Sequence, residues 1–100
     1  TLVAANCFLT GPITLGNNVS VNHSSTLDGG KHGVVIGDNT GISSHCTMYA
    51  FNHGMRPGVT FRSQPVVSKG IVVGQDVWIG SNVGVVDGVM IGDHSVVGMQ

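Results

Sequence analysis

One hundred residues hold one domain, and with 9% charged side chains and a formal net charge of −1 they carry no basic field for nucleic acid or an anionic membrane surface. Sixteen glycines, with many Asn, Asp and Ser, fit a chain that turns a corner every few residues, and no apolar run approaches the roughly 18–20 residues that a bilayer demands. No charged start followed by an apolar stretch marks a signal peptide, so the chain reads as cytoplasmic, and Thr1 in place of an initiator Met points to a trimmed N-terminus.

In chain order, an apolar residue recurs every six positions at Val3, Leu9, Leu15, Val21 and Leu27. The beat resumes at Ile36, Ile42 and Met48, and again at Val73, Ile79, Val85, Ile91 and Val97. A period of six is neither helical nor the alternation of a hairpin strand. It predicts an all-β, parallel β-helix of hexapeptide repeats, in which each short unit buries its apolar side only by stacking on its neighbours. Grouped by threes, the beat gives four triangular coils, Val3–Leu9–Leu15, Val21–Leu27–Ile36, Ile42–Met48–Val73 and Ile79–Val85–Ile91, with Val97 opening a fifth. Successive coils should lie about 4.8 Å apart, with Gly37, Gly74, Gly80 and Gly92 at or near corners of positive φ.

Two insertions interrupt the beat. The first adds three residues around Gly29-Gly30-Lys31-His32-Gly33, and the second is a loop over residues 54–72 that contains Pro57, Gly58 and Pro65. Long loops in a compact repeat usually carry function, and His53 stands at the hinge where coil gives way to loop. The chain stops as a new coil begins, so this single domain, 1–100, reads as lacking a C-terminal coil or as covered at that end by something else. Cys7 and Cys46 each fall four residues after an apolar beat, a slot shared with Ile13, Val19, Thr40, Val77, Val83, Val89 and Ser95. That slot should point inward and hold a small side chain, which makes both cysteines reduced core thiols.

The repeat, the loop, Asn52-His53 before it and the stretch Val73-Gly74-Gln75-Asp76-Val77-Trp78-Ile79-Gly80-Ser81-Asn82 after it resemble the hexapeptide-repeat acyltransferases. The nearest likeness is to sugar, polysaccharide and xenobiotic O-acetyltransferases, and it runs over nearly the whole chain. Members typically read Gly-Ala-Gly-Ser where this chain reads Gly98-Met99-Gln100, and they continue for another coil and a tail.

The resemblance implies a left-handed helix, acetyl transfer from acetyl-CoA to a hydroxyl of a sugar, polysaccharide or similar small acceptor, and a homotrimer with its sites between subunits. A hydroxyl is a poor nucleophile at neutral pH and needs a positioned base. Imidazole suits that task, because its unperturbed pKa of about 6.5 leaves it mostly neutral at pH 7. His53 matches the family's catalytic His by its place before the loop, with the bland alternative of a solvated corner residue. The resemblance also assigns Trp78, Ser81 and Met99 to the cofactor, and it matches Asn22 to an Asn that touches the acceptor hydroxyl. Trp78 could equally pack a corner or a subunit contact, and Asn22 could be an ordinary turn former. Asn52, counted into the inward slot, would orient His53 or cap the corner. Asp28 would bind a sugar hydroxyl or shape the turn at Gly29, and Gln64, in Arg62-Ser63-Gln64-Pro65, would touch the acceptor. His23, His32, His45 and His94 read as surface or turn residues, and no metal is expected.

Two other readings use the same repeat. A γ-class carbonic anhydrase needs three converging His, two of them five residues apart, whereas the His here stand at 23, 32, 45, 53 and 94. A non-catalytic assembly or regulatory β-helix explains the repeats but neither His53 at the loop nor Trp78 beyond it.

Overall fold

A computed structural model describes residues 1–54 and 57–98. The first coil runs through β1 (Leu2–Val3), β2 (Phe8–Thr10) and β3 (Ile13–Leu15), and the second through β4 (Ser20–Val21), β5 (Thr26–Asp28) and β6 (Val34–Ile36). The third opens with β7 (Gly41–Ile42) and β8 (Thr47–Tyr49), leaves the body as a hairpin of β9 (Asn52–His53) and β10 (Val66–Val67), and returns as β11 (Ile71–Val73). The fourth comprises β12 (Trp78–Ile79), β13 (Gly84–Val86) and β14 (Met90–Ile91), and β15 (Val96–Val97) begins a fifth.

These strands stack into three parallel sheets, the faces of a left-handed triangular β-helix. Face I is β1-β4-β7-β12-β15, face II is β2-β5-β8-β13 and face III is β3-β6-β11-β14. The register aligns Val3, Val21, Ile42, Ile79 and Val97 on face I. Leu9, Leu27, Met48 and Val85 align on face II, and Leu15, Ile36, Val73 and Ile91 on face III. The coils are those that the six-residue beat predicts. Most of these side chains are buried along the axis, where Leu27, Ile36, Ile42, Met48 and Ile79 form a continuous apolar column. No helix among the described residues is long and apolar enough to cross a membrane.

The slot four residues past the beat points inward at Val19, Ser25, Thr40, Cys46, Val77 and Val83. Its polar members are satisfied by backbone at the corners. Thr40 Oγ1 donates to Gly74 O at 2.8 Å and accepts from Val77 N, while Ser25 Oγ donates to Ser43 O and accepts from Cys46 N. Cys46 Sγ donates to Gly80 O at 3.1 Å, and burial pushes its thiol pKa up. Cys7 and Cys46 are both free. Ser25 stands between them in the stack, so their Cα atoms are about two rungs, roughly 9–10 Å, apart and beyond disulfide reach.

The corners depart from expectation. Gly37, Gly74, Gly80 and Gly92 do not have positive φ; the left-handed residues are instead Asn6, Ser24, His45 and Asn82 on the edge between faces I and II, and Asn18, Asn39, Asp76 and His94 on the edge between III and I. Asn and Asp tolerate that conformation better than most residues. Gly37 is needed for closeness: a Cβ there would lie 2.6 Å from the carbonyl carbon of Gly74 one rung on. On the III–I edge the left-handed residues also bond across rungs, Asn18 Nδ2 donating to Asn39 Oδ1 at 2.9 Å and His94 pairing with Asp76 at 2.7 Å.

The II–III edge is different. Both insertions emerge there, on consecutive rungs: residues 29–33 after β5, and the long excursion after β8. The excursion begins earlier and ends earlier than residues 54–72, because Asn52 already belongs to the hairpin and Ile71 is already paired with Val34 in the body.

Candidate active site

The chain leaves the body after Ala50, a buried small residue at the rim of the core. Its first strand outside, β9, pairs antiparallel with β10, His53 opposite Val66 and Asn52 opposite Val67. Gly54 N then donates to Pro65 O at 3.1 Å. The Gln64 side chain covers Gly54, where a Cβ would strike it, and its Nε2 donates to Val59 O at 3.1 Å.

The root of the hairpin is fixed by one hydroxyl. Ser68 Oγ donates to Ala50 O at 2.6 Å and accepts from Lys31 N and His32 N at 3.2 and 3.0 Å, so it joins the body and both insertions. Gly30 makes room for this junction: its φ is +55°, and a Cβ would lie 2.5 Å from Ala50 O and 3.1 Å from Ser68 Oγ. Farther along, the Asp87 carboxylate accepts from Lys69 N and Gly70 N at 2.8–2.9 Å, which steers the chain back into β11.

The fixed hairpin holds His53 half-buried, with its Nδ1 sealed from solvent. The imidazole borders a cleft of about 310 Å³ whose other walls are Tyr49, Phe51, Asn52 and Val86. Tyr49 and Val86 are neighbours in the face II register, and the Tyr49 and Phe51 rings meet edge to face at 6.0 Å. A base bordering such a cleft can take a proton from a hydroxyl bound there. A second cavity, about 670 Å³, opens between the two insertions against Phe51, Val66 and Val67. Among the described residues, no three His, Cys, Asp or Glu side chains are grouped as a metal ligand set.

The other candidates fall in two groups. Asp28, Asn52 and Gln64 share the II–III edge with His53. Asn52 is exposed at the rim of the cleft, not turned inward, because the coil has already given way to the hairpin at that point. Asp28 Oδ1 accepts from Gly30 N at 3.0 Å and so shapes the turn. Asn22, Trp78 and Ser81 lie instead along face I and its edge with face II. Asn22 Nδ2 donates to Ile42 O at 2.9 Å, bracing the next rung. Trp78 is 58% exposed, packs over Gly41 and donates its indole N–H to Ser43 Oγ at 3.1 Å. Ser81 is half-buried at the corner of the fourth coil. Met99 lies outside the described residues. The sequence reading missed Ser68, Tyr49 and Val86; the last two were implicit in the register, which sets them on adjacent rungs.

A family model described as bacterial transferase hexapeptide (six repeats) matches residues 70–100. Galactoside O-acetyltransferase of Escherichia coli (strain K12) is 35% identical over 86 residues, which cover 86% of this chain and 41% of that protein. WbbJ of the same strain, named for O-acetyl transfer in lipopolysaccharide biosynthesis, is 33% identical over 93% of this chain and 51% of its own length. The chain is thus similar, over most of its length, to hexapeptide-repeat acyltransferases. It spans about half the length of these relatives. A variant of AntD, an N-acyltransferase from Bacillus cereus crystallised with dTDP-4-amino-4,6-dideoxyglucose and coenzyme A, superposes with a TM-score of 0.85. That match covers 99% of this chain and 57% of the other at 24% identity, a likeness of fold. In this hexapeptide-repeat chain the II–III corner faces away from face I, so His53 and Trp78 of one chain occupy opposite sides of the triangle.

Proposed function

We propose that the protein transfers an acetyl group from acetyl-CoA to a hydroxyl of a sugar, polysaccharide or similar small acceptor, with His53 as general base. The observation that carries the reading is the His53 imidazole held at the root of the hairpin in a cleft with largely apolar walls. The imidazole takes the hydroxyl proton as the acceptor oxygen attacks the thioester carbonyl. The tetrahedral intermediate then expels the sulfur, the C–S bond breaks, and the imidazolium returns the proton to the CoA thiolate. Two relatives named for O-acetyl transfer support the same chemistry.

Trp78 and Ser81 offer an exposed indole and a hydroxyl along one edge, a surface fit for the apolar and amide segments of a pantetheine arm. Because that edge lies across the triangle from His53, one chain does not assemble both groups around a substrate. A homotrimer, with the His53 edge of one subunit against the Trp78 edge of the next, would unite them. A supply of acetyl-CoA argues for a cytoplasmic site of action.

His53→Ala is expected to lower kcat/KM for acetyl transfer by about 10²–10⁴-fold with the fold intact. A loss of only a few-fold would remove His53 from the role, and no thioester cleavage with any sugar would favour the non-catalytic assembly domain. Co-expression of His53→Ala with Trp78→Ala subunits should restore part of the activity, since some mixed interfaces hold both native residues.

A further inference from the structure

The 670 Å³ cavity between the insertions has a volume within the roughly 300–1,000 Å³ typical of small-ligand sites. Its walls are of two kinds. Phe51, Val66 and Val67 supply apolar surface suited to the carbon face of a sugar ring, while Lys31 and His32 supply nitrogen donors. Val66 stands directly opposite His53 across the hairpin, and residues so paired project on one face. Phe51 borders both this cavity and the His53 cleft. The cavity between the insertions therefore adjoins the His53 cleft through Phe51.

Charge points to what kind of ring. All four Lys and Arg of the chain, Lys31, Arg56, Arg62 and Lys69, fall within the two insertions. Of the five acids, Asp38, Asp76 and Asp93 sit on the III–I edge. The two on the broken edge are engaged by backbone, Asp28 by Gly30 N and Asp87 by Lys69 N and Gly70 N. Among the described residues no carboxylate lies within ion-pair distance of Lys31. A chain of formal charge −1 thus confines its cations to the two insertions and sets Lys31 in the wall of the cavity between them, an arrangement that favours an anion there.

We propose that this cavity is the acceptor subsite and that it selects an acidic sugar, with the carbon face of the ring on Phe51 and Val67 and its carboxylate or phosphate toward Lys31. The transfer of acetyl to that sugar rests on the function proposed above; the binding does not.

The test compares methyl galacturonide and galactose 6-phosphate with methyl galactoside, by amide chemical-shift titration and by acetyl-transfer kinetics of the full-length protein. Both acidic sugars are expected to bind about tenfold or more tightly than the neutral one, as a charge-assisted contact allows, to shift the Lys31, His32 and Val67 amides, and to lose the preference as salt rises. Lys31→Gln should abolish the preference and Lys31→Arg should restore it. The fold should persist in both, because the tie of Lys31 to Ser68 runs through its backbone N–H. A preference for only one acidic sugar would identify which anion the subsite reads. Equal affinity for neutral and acidic sugars overturns the proposal. So does a Lys31→Gln variant whose only defect is a raised KM for acetyl-CoA, which would assign the cation to the CoA phosphates. Lys31-dependent binding without acetyl transfer would discard the reaction and keep the subsite, whereas transfer indifferent to Lys31 would do the reverse.

Discussion

Two edges of the triangle are regular and the third is broken, and the contrast lies in which residue makes the left-handed turn. On the regular edges the turn falls to Asn, Ser, Asp or His, and on the III–I edge those side chains link one rung to the next, as Asn18 does with Asn39. On the broken edge it falls to Gly11, Gly30 and Gly88. There the missing side chain leaves space that another part of the chain fills: Ala50 O and Ser68 Oγ crowd Gly30, and the Lys69 side chain lies against Gly88. On the III–I edge the corner side chains bind the stack; on the II–III edge the bare turns leave room for the insertions of neighbouring rungs and, with them, the cleft.

Substitutions can break this contrast, and His53→Ala should be the largest, a rate loss of orders of magnitude confined to the broken edge. Next is Gly30→Ala. Left-handed strain at a non-glycine costs about 1–3 kcal/mol, and the collision with Ala50 O adds to it, so thermal unfolding should fall by about 5 °C or more. Asn39→Gly on a regular edge exchanges one exposed bond for relief of strain and should stay within about 1 kcal/mol of the parent. If calorimetry finds the two equal, the edges do not differ as described. Ser68→Ala should cost about 1–2 kcal/mol from the lost bonds at the junction, with more effect on kcat/KM than on unfolding if the hydroxyl mainly positions the hairpin.

The smallest effect belongs to His94. Its hydrogen bond to Asp76, then the Asp76 charge, raise its pKa above the ordinary 6.5. A raised folded pKa means that the pair contributes fully below the unfolded value, and the contribution fades as pH climbs through the folded one. Stability should therefore decline slightly as pH rises above about 6.5, and Asp76→Asn should flatten that slope without touching activity.

The body was readable from sequence because its rule is local: Val21, Ile42 and Ile79 each recur in phase, and burial demands nothing else of them. The corners were misread because two demands fall on neighbouring positions. Gly37 and Gly74 serve close approach between rungs, while positive φ belongs two residues later, at Asn39 and Asp76. Asn52 was misread because the count of six continues on paper after the chain has left the coil. His53 was singled out by its place before the loop, yet its surroundings depend on Ser68 and Val86, residues far along the chain that no local pattern joins to it.

Because both insertions leave on consecutive rungs, the stack works as a ruler for the cleft. Duplicating a coil beyond Val86 would lengthen the body and leave that ruler unread. Duplicating one between Ile36 and Ile42 would shift the first insertion by about 4.8 Å, carrying Lys31 and His32 out of reach of Ser68. Growth of this architecture is thus unrestricted at its end and forbidden in its middle.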